Sequence, residues 1–390
     1  MKTFNAPKEI VQNNHQDYQM IDSKSQLKKA VDEIGDAPIL AVDLEADSLH
    51  HYKEKVCLIQ MATPDITLVV DPLKIDDLSA LKPIFASQHT LKVLHGADYD
   101  VRSLYRDFQI EIHNLFDTEL ACRFLGVAAT GLDAVLAERY DVALVKKYRK
   151  RDWTQRPLPA AMLAYGVADV LYLIDLVKEL KKELKEKRRL SWVAEECALL
   201  SQVRSADNSK GPLFFTFRGA GRLDPTCLTV LEALLALRHE LAAVKDRPLF
   251  KVIANTSLLA IAQDLPESLD ALAKSGALSP KQIHMFGDKV MAAVAKALKV
   301  PEDKKLVYPR KKAPRLKRQA PPRINALKIW RDQMAETLAI DPALILNRNM
   351  ITNIAVRNPQ SPGQLDTIEG LKQWQIKAFG PEIIKALASA

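Results

Sequence analysis

"AVDLEADSL", residues 41–49, follows the apolar pair Ile39-Leu40 and decides how the first half of the chain is read. An apolar run that ends in Asp43 and Glu45 reads as a buried strand with two carboxylates at its exit. Side chains two apart on a strand share a face, about 6.5 Å apart along it, so both acids converge on one spot. Two converging anions repel. Either something positive sits between them, or the stretch is a loop whose acids are solvated.

Around this stretch, up to about residue 200, short β-rich runs alternate with helical patterns. "APILAVDLE", "VCLIQMATP", "ITLVVDP" and "TLKVLHGA" read as strands, with helices near 78–86, 98–107, 118–125 and 160–186. This is an α/β layout. From about residue 226 onward the pattern is helical only, interrupted by one basic stretch. The 390 residues, 48% of them apolar, suffice for two or three domains of ordinary size. No run of about 18 apolar residues occurs, and the start, "MKTFNAPKEIVQNNHQ", has no apolar signal region. A soluble, cytoplasmic protein with no membrane segment is expected. Cys57, Cys122, Cys197 and Cys227 are scattered, with no C-x-x-C pair and no zinc spacing, and read as reduced core residues.

The net charge of +8 is local. Nine Lys or Arg and no acid lie between Lys304 and Arg323, so the rest of the chain is near neutral. "PRKKAPRLKRQAPPR", with four prolines, reads as an extended linker that either touches a polyanion or serves as a solubilising spacer. A second cluster, "KKYRKRDWTQR" (146–156), interleaves aromatics with charges. It is suited to neutralising phosphate and stacking a base, or it is a solvated loop.

The helical tail repeats itself. Arg238 and Arg331, the helix-starting Pro248 and Pro342, Asn255 and Asn349, Pro266 and Pro359, and the pairs Phe286-Gly287 and Phe379-Gly380 recur in order. A duplicated small helical domain accounts for this.

Two further segments bring acids to the edge of apolar elements. "LKVLHGADYDVRSL" runs from a strand into a helix that begins with Asp98 and Asp100; Asp98 suits the helix dipole. "LPAAMLAYGVADVLYLIDL" is an apolar helix with Tyr165 and Asp169 at i, i+4, hence on one face. An Asp inside such a helix is costly to bury unless paired or metal-bound. Carboxylates gathered around one spot form a ligand set for hard divalent cations, and two such ions can stabilise both oxygens of a phosphodiester displacement. Each acid alone also has an ordinary structural reading.

These residues resemble the DEDDy-type 3′→5′ exonucleases, most closely their ribonuclease D branch. "VDLEADS" is similar to the family's first motif at Asp43 and Glu45, "HGADYD" to its second at Asp100, and "YGVAD" to its third at Tyr165 and Asp169, preceded by the familiar "DWTQRPLP". Both tail repeats look like the helical module named for helicases and ribonuclease D (HRDC). The resemblance implies an α/β RNase H-like exonuclease domain with a mixed sheet over residues 1–205 and a first HRDC domain over 220–300. A basic Pro-rich linker over 301–323 and a second HRDC-like domain over 324–390 would follow. It implies two divalent ions, Mg2+ or Mn2+, held by Asp43, Glu45, Asp100 and Asp169, and a hydrolytic water positioned by Tyr165. The implied partner is RNA with a single-stranded 3′ end, above all transfer RNA precursors, processed by a monomeric enzyme that releases nucleoside 5′-monophosphates.

Neighbouring residues have readings of their own. His95 and Gln60 are expected to be hydrogen-bonded structural residues that also suit phosphate or base contact. Asp117-Thr118 reads as a helix N-cap. His50, His51 and Tyr52 can stack on a terminal ribose or base. The rival readings are a DNA exonuclease of the Werner-type branch, a nucleic-acid-binding protein with an inactive nuclease fold, and a scaffold whose linker and tail recruit other proteins.

Overall fold

The structure, a computed structural model, describes residues 8–9, 18–144, 146–205, 211–309 and 318–390. Two compact units emerge: Met1–Ala46, Val56–Ser205 and Pro314–Ala390 form one, and Asp47–Lys55 with Ala206–Ala313 form the other.

The first unit is built on a mixed sheet. Its strands β2 (Gln19–Ile21), β3 (Ile39–Ala46), β4 (Val56–Ala62), β5 (Thr67–Val70), β6 (Leu91–Leu94) and β7 (Leu115–Asp117) lie in the order β2-β5-β4-β3-β6-β7. Strand β4 runs antiparallel to β3 and β5, and the other pairings are parallel. A separate parallel pair joins β1 (Lys8–Glu9) to β8 (Val142–Ala143). The four strands expected from sequence are all present. Strands β2 and β7, three residues each, are too short to show a period.

Register sorts the side chains. Asp43 pairs with Gln60 and Glu45 with Leu58, and Gln60 in turn pairs with Val69, so these five share one face. Leu58 and Val69 on that face form a small core with Trp153, Met162 and Val167. Val42, Leu44, Ile59, Met61, Leu68 and Val70 belong to the larger core. A register shift falls between Glu45 and Ala46, where β3 leaves the ladder.

Among the described residues, eight helices accompany the sheet: α1 (Lys24–Ile34), α2 (Lys82–Ala86), α3 (Asp98–Phe108), α4 (Thr118–Leu125), α5 (Leu132–Tyr140), α6 (Ala160–Leu171), α7 (Leu173–Glu186) and α8 (Leu190–Leu200). The helix expected over 160–186 is two helices meeting at Tyr172. By length and composition this stretch is apolar enough to cross a membrane. Here α6 packs on β3, β4 and β5, and α7 buries Leu173, Leu176, Leu180 and Leu184.

The second helical module, α14 (Ala320–Leu338), α15 (Pro342–Ile345), α16 (Arg348–Arg357) and α17 (Gln373–Ala388), belongs to this same unit. Trp374 of α17 stacks on Trp192 of α8 at 4.8 Å and meets Phe124 of α4 edge-on. Glu195 of α8 accepts the N–H groups of Gln373 and Trp374 at 2.7 and 2.8 Å, capping α17. The buried Arg189 guanidinium donates to the carbonyls of Phe124 and Leu338, both at 2.7 Å. Gly126, at φ +83°, lies so close that an added Cβ would be 2.0 Å from the Ala339 carbonyl oxygen. Gly126→Ala is therefore expected to cost about 2–5 kcal/mol, the left-handed backbone plus the clash. Gly276, at φ +65° with nothing within 4 Å, should lose only the backbone part on the same change. Denaturant unfolding of both variants checks this.

The second unit holds α9 (Pro225–Lys245), α10 (Leu249–Val252), α11 (Asn255–Asp264), α12 (Leu269–Lys274) and α13 (Pro280–Leu298), around a core of its own. Within it, His51 Nδ1 lies 2.7 Å from Asp246 Oδ2, and the Tyr52 hydroxyl lies 3.0 Å from His239 Nδ1. Two of the three side chains expected to stack on substrate, His51 and Tyr52, are thus already engaged.

The two modules explain the repeat. Arg238 donates to the Ile253 carbonyl and Arg331 to the Leu346 carbonyl, each at 3.3 Å and each at the end of the short helix that follows. This alignment corrects two of the expected pairs. Pro248 is the N-cap of α10, matching the N-cap Asp341 rather than Pro342. Asn255, at the first position of α11, matches Arg348, not Asn349.

The basic segment is shorter than the expected 301–323. Leu306 and Tyr308 pack on the first module, and Ala320–Arg323 form the first turn of α14, with the prolines where a helix tolerates them. Residues 310–317 lie outside the described residues.

Candidate active site

Asp43 and Glu45 leave β3 under α6, which presents Tyr165 and Asp169 from one face. Oxygens of Asp43, Glu45 and Asp169 can all lie within 4.8 Å of one another. They line a cavity of about 440 Å³ together with Tyr165, His95 and Arg149. Tyr165 stands one helical turn before Asp169 on α6, so its hydroxyl feels the Asp169 charge.

Asp100 stands differently. It is buried in the first turn of α3, outside the group of three and not on the cavity wall, yet near enough to Asp43 for their charges to interact. Its position is fixed by Asp117. One carboxylate accepts the Gly96 and Ala97 N–H groups before α3 (2.9 and 2.8 Å) and caps α4 at Glu119 and Leu120 (2.9 and 3.2 Å). The expected N-cap is present and also clamps the loop that aims Asp100. Asp98, by contrast, is exposed and paired with Arg102.

The electrostatics are those of a crowded acid site. Burial pushes Asp43 up to about 7. Burial, then the charges of Asp43, Asp169 and Asp100, pushes Glu45 up to about 10. Asp100 and Asp169 are also raised, by burial first and then by Asp43. Such a set holds its full charge only against cations, and oxygen-only ligands suit hard divalent ones. The residues present fit divalent ions.

The raised carboxyls make stability depend on pH. A carboxyl raised on folding binds more protons folded than unfolded, so stability falls as pH rises between the two values. The window runs from 3.8 to about 7 for Asp43 and from 4.5 to about 10 for Glu45. Melting in chelator should therefore show this site destabilising the chain at about pH 8 relative to about pH 5.5. Mn2+ should raise the midpoint more at the higher pH.

The cluster at 146–156 divides in a way its composition concealed. Arg149 lines the cavity, and its charge opposes the rise at Glu45, Asp169 and Tyr165. Lys146 pairs with Asp133 at 2.7 Å. Arg156 grips the fully buried Asp71 with two bonds of 2.6 and 2.7 Å and donates to the Trp153 and Cys57 carbonyls. Trp153 is 1% exposed and packs 6.1 Å from the Tyr165 ring, so it supports the tyrosine and cannot stack a base. Among the neighbours, His95 lines the cavity with Nδ1 2.9 Å from Thr118 Oγ1. Gln60 is fully buried, but its expected hydrogen bonds are missing among the described residues. Sequence reasoning also passed over Glu119 and Asp133 on the cavity wall.

A mixed sheet that gathers acids and a tyrosine at one cavity, followed by two like helical modules, defines a 3′→5′ exonuclease with a duplicated tail. Residues 18–185 match the 3′-5′ exonuclease family, and 228–294 and 321–387 each match the HRDC domain. The ribonuclease D of Desulfotalea psychrophila is 30% identical over 342 residues, covering 86% of this chain and 90% of that one. That of Pseudomonas paraeruginosa is 27% identical over 354 residues, covering 90% and 93%. The crystal structure of Escherichia coli RNase D superposes with a TM-score of 0.72 at 25% identity, over 96% of this chain and 99% of that one. The chain belongs to the ribonuclease D family and is a 3′→5′ exoribonuclease, an enzyme class that uses divalent metal ions.

Proposed function

We propose that Asp43, Glu45, Asp100 and Asp169 hold two divalent ions, Mg2+ or Mn2+, and that Tyr165 orients the water that attacks the 3′-terminal phosphodiester of RNA. The observation that carries this reading is the convergence of Asp43, Glu45 and Asp169 within 4.8 Å, beside Tyr165. Ions bound there supply Lewis acidity at the attacking and leaving oxygens. Tyr165, beside Asp169 on the cavity wall, fixes the direction of approach, and Arg149 on the same cavity meets the phosphate. Water adds to phosphorus and the bond to the 3′ oxygen breaks. A nucleoside 5′-monophosphate departs and a new 3′ hydroxyl remains.

The substrates are RNAs with a single-stranded 3′ end, transfer RNA precursors and other small structured RNAs, processed in the cytoplasm by a monomer. The E. coli relative is described as an exoribonuclease involved in structured RNA processing, which supports this choice. The nuclease domain spans 1–205, and both helical modules assist RNA binding.

A time course on a transfer RNA with extra 3′ nucleotides tests this, run with Mg2+ or Mn2+, with chelator, and beside a matched DNA strand. Shortening from the 3′ end that stops with chelator and spares DNA is expected. Equal digestion of DNA would move the substrate to the Werner-type reading. Binding without shortening would leave a nucleic-acid-binding protein.

A further inference from the structure

The two helical modules come from one repeat, yet the turn after their first helix carries different chemistry. In the first module it reads "KDRPLFK", residues 245–251, and in the second "LAIDPAL", residues 338–344, aligned through Pro248 and the N-cap Asp341. Lys245, Arg247, Phe250 and Lys251 therefore stand where the second module has Leu338, Ile340, Ala343 and Leu344. The second module uses its turn to dock on the nuclease domain: the Leu338 carbonyl accepts from Arg189, and the Ala339 carbonyl closes on Gly126.

The turn of the first module stays on the surface. Lys245, Arg247 and Lys251 are exposed, and so is the Phe250 ring, at 56%. An exposed phenylalanine alone is ordinary. One set among three cations has the composition of a surface that stacks bases and neutralises phosphates. The single carboxylate of the turn, Asp246, is already held by His51 Nδ1 at 2.7 Å and the Tyr52 N–H at 3.1 Å. Those bonds bring the exposed Lys53, next in the chain, to the turn. Among the described residues none of Lys53, Arg247 and Lys251 has an acidic partner, so their charge faces outward uncompensated.

We infer that this face of the first module binds the single-stranded RNA chain, with Phe250 stacked on a base and Lys53, Lys245, Arg247 and Lys251 neutralising the phosphates beside it. Stacking accepts any base and the cations read only the backbone, so the face grips RNA without choosing its sequence. The second module has no such face, because its turn carries no cation and is docked on the nuclease domain. The inference deepens the proposed role of the modules in RNA binding and rests on it.

The test is the affinity of the full chain for a fluorescent single-stranded RNA, measured in chelator so that nothing is cut, over a series of salt concentrations. Phe250→Ala should bind about 5- to 100-fold more weakly, with an unchanged salt dependence. Arg247→Gln combined with Lys251→Gln should lower the slope of log affinity against log salt by about 1.4, roughly 0.7 for each lost phosphate contact. Both variants should melt like the wild type, because the side chains are exposed. Wild-type affinity in Phe250→Ala, or a wild-type slope in the double variant, overturns the inference alone. So does a variant that melts far lower, since its side chains would then be packing the module. Poly-glutamate that binds the wild type as tightly as RNA, and loses as much affinity in Phe250→Ala, would give the face to an acidic protein instead. A wild type that binds no RNA overturns the role of the modules in RNA binding and this inference with it.

Discussion

Asp43→Asn and Asp169→Asn should each fold, melt no lower than wild type in chelator near pH 8, and lose 3′ trimming of RNA by on the order of 1,000-fold or more, several kcal/mol of lost Lewis-acid stabilisation. The two halves of this expectation share one cause. Asp43 and Asp169 are among the charges that raise Glu45, so without cations each additional ionised acid strains the others. An isosteric amide relieves that strain and removes one of three oxygens that converge within 4.8 Å. Stability rises where function falls, as expected of a site strained for catalysis. Single-turnover assays and melts with and without Mn2+ read both. An Asp169→Asn enzyme that trims at wild-type rate would remove this residue from the metal site.

What the sequence made legible was whatever has a local period. Asp43 and Glu45 two apart on a strand, and Tyr165 and Asp169 four apart on a helix, each announce a shared face from neighbouring residues alone. Contacts across long separations were hidden. Asp117 aiming Asp100, Asp71 seizing Arg156, and Glu195 capping α17 join segments whose sequences carry no mark of the partner. The same blindness turned Trp153 into a candidate base-stacking residue: in sequence it sits among cations, but in the fold it is the wall behind Tyr165. Gln60 was misjudged for a related reason. Alternation places it on the acid face of the sheet, but only the β3–β4 register pairs it with Asp43 and leaves its amide without a partner among the described residues. The repeat was visible, yet matching identical letters mispaired Pro248, because the position requires a helix N-cap and both Pro and Asp can occupy it.

Tyr165→Phe separates positioning of the water from binding of the metal. Burial, and then the charges of Asp169, Glu45 and Asp43, raises the Tyr165 hydroxyl far above its ordinary value. The group is therefore a phenol at neutral pH, and the role proposed for it is to direct an O–H rather than to take up a proton. The ring is held independently of the hydroxyl, between Tyr148 at 6.0 Å and Trp153 at 6.1 Å. Removing one oxygen should leave the fold and the Mn2+ affinity unchanged. It should lower kcat by about 100- to 1,000-fold, the range for one lost hydrogen-bond donor in a preorganised site, with little change in KM. The contrast with Asp169→Asn is the informative part: the Asn variant should lose Mn2+ affinity and turnover together, the Phe variant turnover alone. Trimming by Tyr165→Phe within a few-fold of wild type would mean that the carboxylates direct the water unaided and that Trp153 supports a ring whose role is packing. Weakened Mn2+ binding in Tyr165→Phe would mean that the hydroxyl helps to hold a metal ligand in place, which would move Tyr165 from the water to the metal.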